Sequence, residues 1–212
     1  MTFRAAGILT ALAFAAACGA SDDDAPAAGV ATEAATIEVN DGAEVALACQ
    51  PSPMPLADRP SPYDSVLVNL SGAEAKLCYG RPSAREREIF GGLVPYDTLW
   101  RTGANEATTI HLPVAAEIAG IAVDPGSYTI YTVPGREEWT VIVNRSITQW
   151  GIETAYTPEV RAQEIARATV PAETIPDHVE TFVITTEDAG ANTTNLVLSW
   201  ENTRVRIPVR RV

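Results

Sequence analysis

The sequence is short of the residues that usually announce chemistry. Its 212 residues contain two histidines, His111 and His178, three cysteines, and one lysine among fifteen basic side chains. Neither histidine has a second histidine or a cysteine at ligand spacing, so no metal site is expected. No P-loop, dinucleotide fingerprint or nucleophile elbow occurs, and no cofactor is expected. A two-carboxylate hydrolase stays open, because its carboxylates can be far apart in sequence, but nothing points to one. The formal charge of −12 leaves no basic surplus to neutralise phosphates, which argues against nucleic acid. What is present in quantity is apolar: 46% of the chain, enough for a core without metal or a dense disulfide net.

The first seventeen residues read as an export signal, with Arg4 as the positive n-region and Ala5 to Ala17 as a small, apolar h-region. That run is too short and too alanine-rich to span a membrane. Ala15-Ala16-Ala17-Cys18 resembles the lipobox of bacterial lipoproteins, with Ala15 where leucine is usual. The resemblance implies that Cys18 is lipidated and ties the chain to a membrane of the cell envelope, facing the periplasm or the outside. Cleavage by ordinary signal peptidase after Ala20 is the competing outcome and would leave a soluble periplasmic or secreted protein. Residues 18–58 then read as a tether and linker. Gly19 to Thr36 is rich in Ala, Asp, Gly and Pro and cannot bury enough apolar surface to fold. Five prolines from Pro51 to Pro62 exclude helix and central strand. With Cys18 taken as lipid acceptor, Cys49 and Cys78 remain. In an oxidising compartment they are a disulfide candidate; two buried thiols acting as small hydrophobes is the other reading.

Residues 59–212 have a different texture. Short β-type runs recur with turn signals between them: 65–70, 76–79, 107–112, 117–123, 127–133, 139–144, 164–170, 178–186, 195–200 and 203–209. Gly120 breaks the fourth, and Asp124-Pro125-Gly126 and Pro134-Gly135 are strong turns. About ten such runs at this spacing predict an all-β antiparallel β-sandwich, jelly-roll-like, in a single domain. Only Thr157 to Arg167 has helical character, with Thr157 as N-cap and Pro158 at the first helical position, so one short helix is expected there.

The unusual chemistry is concentrated between Tyr79 and His111, where arginines and carboxylates mix with glycines, prolines and aromatics. In Trp100-Arg101-Thr102-Gly103-Ala104-Asn105-Glu106, followed by His111, the polar side chains are candidates for one pocket. Arg101 offers a bidentate grip on a carboxylate or phosphate. Glu106 and His111 are the candidate acid–base pair. The plainer alternative is an Arg101–Glu106 salt bridge locking the loop, Asn105 capping a turn, and His111 pointing out of a strand. Arg81, held extended by Pro82, is a second rigid guanidinium. Three tryptophans, Trp100, Trp139 and Trp200, read as core. Trp150, in a loop after the strand at 139–144, is the aromatic expected to line a pocket.

Several of these motifs together carry a resemblance: Ser61-Pro62-Tyr63-Asp64-Ser65, Cys78-Tyr79-Gly80-Arg81-Pro82-Ser83, the Trp100–Glu106 run, Pro125-Gly126-Ser127-Tyr128, Trp139–Asn144 and Gln149-Trp150-Gly151. The chain resembles an exported bacterial family catalogued as a domain of unknown function, family 2911, over nearly everything from Arg59 to Val209. The resemblance implies export and a shared domain extent, and carries no activity. Three functions compete. The first is a binding module taking a small anionic ligand, glycan or peptide on Arg81, Arg101, Asn105, Glu106 and Trp150. The second is a hydrolase or isomerase-like enzyme using Glu106 and His111. The third is a structural envelope assembly protein with a protein partner.

Overall fold

Alternating β-branched and aromatic runs leave each strand one apolar face, and the chain buries those faces by folding one antiparallel sheet over on itself. The computed structural model describes residues 36–38, 44–51 and 54–212, all within one compact unit, Ala34–Val212. The signal segment, Cys18 and most of the tether lie outside the described residues. Among the described residues a small hairpin of β1 (Thr36–Glu38) and β2 (Glu44–Ala46) precedes the main sheet. That sheet has nine strands in the order β3-β4-β5-β8-β9-β10-β11-β6-β7. They are β3 (Tyr63–Leu70), β4 (Ala73–Gly80), β5 (Thr108–Leu112), β6 (Ala116–Ile118), β7 (Ile121–Val123), β8 (Gly126–Pro134), β9 (Glu138–Asn144), β10 (Glu164–Gly190) and β11 (Thr193–Arg211). Every pairing between them is antiparallel, and the sheet does not close into a barrel.

The sandwich depends on β10. Its first part, Glu164 to Pro171, pairs with β9, whereas Ala172 to Gly190 pairs with β11. Register breaks fall between Thr174 and Val179 and between Val179 and Val183, and Pro176, which cannot donate to a ladder, sits in the first of them. Four strand spacings separate β4 from β10, roughly 19 Å in a flat sheet. Yet the rings of Tyr79 on β4 and Phe182 on β10 lie 5.8 Å apart, and the Tyr79 hydroxyl accepts from the Ile184 N–H. The second half of the sheet therefore lies face to face with the first. Between them Phe90, Trp100, Trp139, Phe182 and Trp200 meet ring to ring at 5.0–6.0 Å. Two of these, Phe90 and Trp100, come from the irregular segment between β4 and β5, so that segment is pinned to the core from inside.

Element boundaries differ most from the expected ones at one hairpin, in the two long C-terminal strands and in the helix, each for a local reason. The run at 117–123 is two strands, because Ala119 and Gly120 take positive φ (50° and 80°) and turn the chain into the β6–β7 hairpin. The expected strands at 164–170 and 178–186, and those at 195–200 and 203–209, are each one long strand: the cross-strand ladder continues past the breaks. The helix, α1, covers only Pro158–Arg161. Thr157 caps it, its Oγ1 accepting from the Val160 N–H at 3.4 Å, but the chain enters β10 at Glu164 because pairing with Asn144 of β9 takes precedence there.

Candidate functional site

The segment from Trp100 to Ala107 is held from both sides by backbone. Trp100 and Thr132 exchange two N–H···O bonds at 2.7 and 3.0 Å, and the Trp100 indole donates to the Gly103 carbonyl at 3.1 Å. On one side Gly80, at the end of β4, lies so close that a Cβ there would collide with the Ala104 carbonyl. On the other, a Cβ at Gly151 would press into the backbone of Asn105, Glu106 and Ala107. Only glycine permits both approaches. Thr102 and Asn105 adopt φ of 59° and 63°. Asparagine tolerates this, but a β-branched threonine is strained there by about 1–2 kcal/mol. The Thr102 hydroxyl meets that of Thr132 at 3.1 Å, and its carbonyl accepts from Thr108 Oγ1 at 2.8 Å, which holds the strained turn in place.

This clamped segment is a wall with a cleft on each side. The first, about 500 Å³, is lined by Arg87, Arg101, Asn105 and Glu153 against Leu93, Leu99 and other apolar groups. The second, about 410 Å³, is lined by Tyr63, Glu106, Thr109, His111 and Trp150, with Gln50 and Pro51 at its rim. Both volumes fall within the range of small-molecule sites. The residues expected to share one pocket are therefore divided by their own backbone: Arg101 and Asn105 go to one cleft, Glu106, His111 and Trp150 to the other. Arg81 lines neither. It donates to Asp64 at 3.1 Å and to the Phe182 carbonyl at 3.3 Å, tying β4 to β3 and β10.

The Arg101–Glu106 salt bridge weighed from the sequence is replaced by two other pairs. Glu106 is met by Arg59, whose Nη1 lies 3.0 Å from both carboxylate oxygens; the two side chains are 9% and 2% exposed. Arg59 also donates to the Pro55 carbonyl at 2.7 Å and to that of Met54, which fastens the proline-rich approach to β3 onto the loop. Both Glu106 oxygens are thus engaged with a cation, an arrangement that suits structure better than proton transfer. Arg101 instead lies 3.6 Å from Glu153 and donates to the Asn105 carbonyl at 3.3 Å. Asn105 donates from its side chain to the Ser61 carbonyl at 3.3 Å rather than capping its own turn. Arg87, exposed, donates to the carbonyls of Ala84 and Ser83 and is in no ion pair among the described residues. Two guanidinium groups against one carboxylate give the first cleft a positive bias.

In the second cleft, His111 shares the outward face of β5 with Thr109, yet it is only 2% exposed, because the 47–51 segment and the 147–150 loop cover that face. Its Nδ1 lies 2.7 Å from Ser127 Oγ on β8, and its Nε2 has no hydrogen-bond partner. Burial, with Lys76 opposite it on β4, holds the imidazole below its ordinary value, so it is neutral near pH 7. Burial and then the Glu106 carboxylate push the Tyr63 hydroxyl up to about 12, against the opposite pull of Arg59 and of a hydrogen bond with Thr109. The 146–150 loop is fixed by Gln149, whose amide donates to Tyr131 at 3.0 Å and to the Ser146 carbonyl at 2.9 Å. Trp150, half-buried, stands at the end of that loop and pairs backbone to backbone with Glu106.

Cys49 and Cys78 are joined in a disulfide, Cα to Cα 5.7 Å, which sets Gln50 and Pro51 against β4 and β5 at the mouth of the second cleft. Residue types alone give no sign of Tyr63 or Arg87 in these clefts, or of Arg59 behind Glu106. The SPYDS motif around Tyr63 was the nearest signal. Among the described residues no group of three or more metal-ligating side chains converges, and no helix is long and apolar enough to cross a membrane.

The fold is an antiparallel β-sandwich with two clefts beside one clamped loop. Residues 61–209 match the family described as "Protein of unknown function (DUF2911)", and the chain belongs to that family. No curated protein and no solved structure matches it.

Proposed function

We propose that the chain is a lipid-anchored binding module of the bacterial cell envelope, holding a small anionic ligand with an apolar body in the first cleft. The observation that carries this reading is the state of its two arginines: Arg87 bonds only to carbonyls, and Arg101 has a single carboxylate at 3.6 Å. Among the described residues the Arg87 Nη1 and the Arg101 Nε and Nη2 make no hydrogen bond, which leaves donors on both groups for a carboxylate, sulfonate or phosphate. The apolar wall beside them, Leu93 and Leu99 included, suits the rest of such a ligand. The envelope part of the proposal rests on the signal anatomy and on the lipobox-like run ending at Cys18, and the Cys49–Cys78 disulfide supports an oxidising compartment.

The test uses anilinonaphthalene sulfonate, an apolar anion whose fluorescence reports binding. It should bind the folded chain saturably and be displaced by benzoate. Arg87→Ala with Arg101→Ala should weaken it roughly tenfold or more, the worth of a charge-assisted hydrogen bond, while lowering the unfolding temperature by no more than a few degrees. Undiminished binding in the double variant would sink the proposal. For the anchor, Cys18→Ser should move the chain from the membrane fraction to the soluble one.

A further inference from the structure

We infer that the second cleft is a separate binding site for a neutral pyranose sugar, which it receives on the Trp150 ring and the free ring nitrogen of His111. The inference does not depend on the anionic ligand of the first cleft. Three features support it, and each bears on a different property of the ligand.

The first is an unmet polar group. His111 Nε2 is the one buried side-chain nitrogen or oxygen without a hydrogen-bond partner among the described residues. Leaving such a group unpaired costs about 1–3 kcal/mol. The atom is not a leftover of poor packing, because the other ring nitrogen is held by Ser127 and the histidine sits in a continuous strand pairing with Lys76 and Ser127 on either side. Its nitrogen belongs to a ring that lines the cleft. A ligand hydroxyl, which both donates and accepts, satisfies it in either tautomer.

The second feature is charge. The carboxylate at the cleft, Glu106, is matched by Arg59, and the imidazole is neutral near pH 7. Tyr63 keeps its proton and remains a neutral donor and acceptor. The lining itself carries no cation, Lys76 standing outside it beside His111 on β4, and a cation finds a carboxylate already engaged. The ligand that fits is uncharged and rich in hydroxyls.

The third is the aromatic surface. Trp100, Trp139 and Trp200 are buried in the core, whereas Trp150 is only partly buried and lines the cleft. An indole face is electron-rich, and the C–H groups on one face of a pyranose carry partial positive charge, so the two attract while the ring excludes water. The site is also assembled in advance. The disulfide holds Gln50 and Pro51 at the rim, Arg59 holds Glu106, and Gln149 holds the loop that ends in Trp150. Such a cleft loses little entropy on binding, the exception being the cover over His111 Nε2, which must shift for a hydroxyl to reach it.

The experiment uses the full chain with its disulfide intact, labelled with nitrogen-15 in its histidines. Glucose, mannose and N-acetylglucosamine are titrated into the millimolar range, with adenosine as a flat, neutral comparison. The His111 ring is told from exposed His178 by His178→Gln. The expected result is a saturable shift of the His111 ring nitrogens with at least one of the sugars. Trp150→Ala and His111→Gln should each weaken that binding, read by calorimetry, by roughly tenfold, the loss of one ring contact or one hydrogen bond. If none of the three sugars moves the His111 signals, or if adenosine alone does, the inference fails. It fails also if sugar binding survives Trp150→Ala unchanged. The wild-type titration decides the matter even where a variant does not fold.

Discussion

Two arginine–carboxylate pairs flank the same loop and do opposite things. Arg59 and Glu106 are sealed from solvent, with both carboxylate oxygens 3.0 Å from one guanidinium nitrogen and the remaining donors on backbone carbonyls. Arg101 and Glu153 stand 3.6 Å apart, with side chains 20% and 43% exposed. The first pair has all three guanidinium nitrogens engaged and closes the approach to β3 against the loop. The second is loose enough to be traded for a ligand. Adjacent stretches of one sequence, with the same residue types, thus separate into a buried fastening and a part-exposed pair that our proposal makes a recognition surface.

The largest expected effect breaks the sealed pair. Glu106→Ala strands the Arg59 charge in the interior and should cost about 3–5 kcal/mol in chemical denaturation. Arg59→Met combined with Glu106→Leu should recover much of that loss, because the desolvation cost of both charges disappears together. A loss below about 1 kcal/mol for the single change, the range of exposed pairs, would erase the distinction between the two pairs.

Next in size is the disulfide. Its half-cystines are 29 residues apart, and releasing a loop of that length should cost about 3–4 kcal/mol on a chain-entropy estimate. Cys49→Ala with Cys78→Ala, compared with the oxidised wild type by thermal unfolding, measures it. The same variant sharpens the comparison between clefts. The rim residues Gln50 and Pro51 belong to the second cleft only, so ligand binding there should weaken while anion binding at Arg87 and Arg101 is kept.

How much of this was legible beforehand depended on range. Strand texture is local, and β5, β8 and β9 fall within a residue or so of their alternating runs. The three core tryptophans were legible for the same reason. Long-range partners were not. Glu106 lies 47 residues from Arg59, and no spacing rule links them, whereas Arg101, five residues away, was the nearer guess. The division into two clefts was equally hidden. It follows from the close approach of Gly80 and Gly151 to the loop, and a glycine in a sequence does not say which backbone it admits. For His111, strand alternation gives the face it shares with Thr109 and leaves open whether that face points to solvent or into a pocket. Its burial comes from the 47–51 segment and the 147–150 loop, which reach it through tertiary contact.

A smaller effect is expected at the loose pair. Arg101→Ala removes a part-exposed ion contact and one bond to the Asn105 carbonyl, and should change stability by about 0.5–1 kcal/mol at most. A cost as large as that of Glu106→Ala would mean that Arg101 is a fastening as well, and the first cleft would lose its argument.

The last expected effect is a matter of protons and appears only on acidification. His111 is held below its ordinary value of 6.5 by burial first and by Lys76 second; Ser127 contacts its Nδ1, and Glu106 and Tyr63 line the same cleft. Near neutral pH neither the folded nor the unfolded chain is protonated at this ring, and it contributes nothing. As the pH falls below 6.5 the unfolded chain takes up a proton that the folded one refuses, so stability declines. The decline ends only when the pH passes the lower folded value. One proton limits the slope to about 1.4 kcal/mol per pH unit. His111→Gln removes this contribution and leaves His178 and the carboxylates in place. Between about pH 7 and pH 5, where unperturbed histidine titrates, the unfolding temperature of the wild type should fall more steeply than that of the variant. Parallel curves would mean that the imidazole accepts its proton as readily in the fold as out of it, and that the second cleft is wetter around Nε2 than its burial implies.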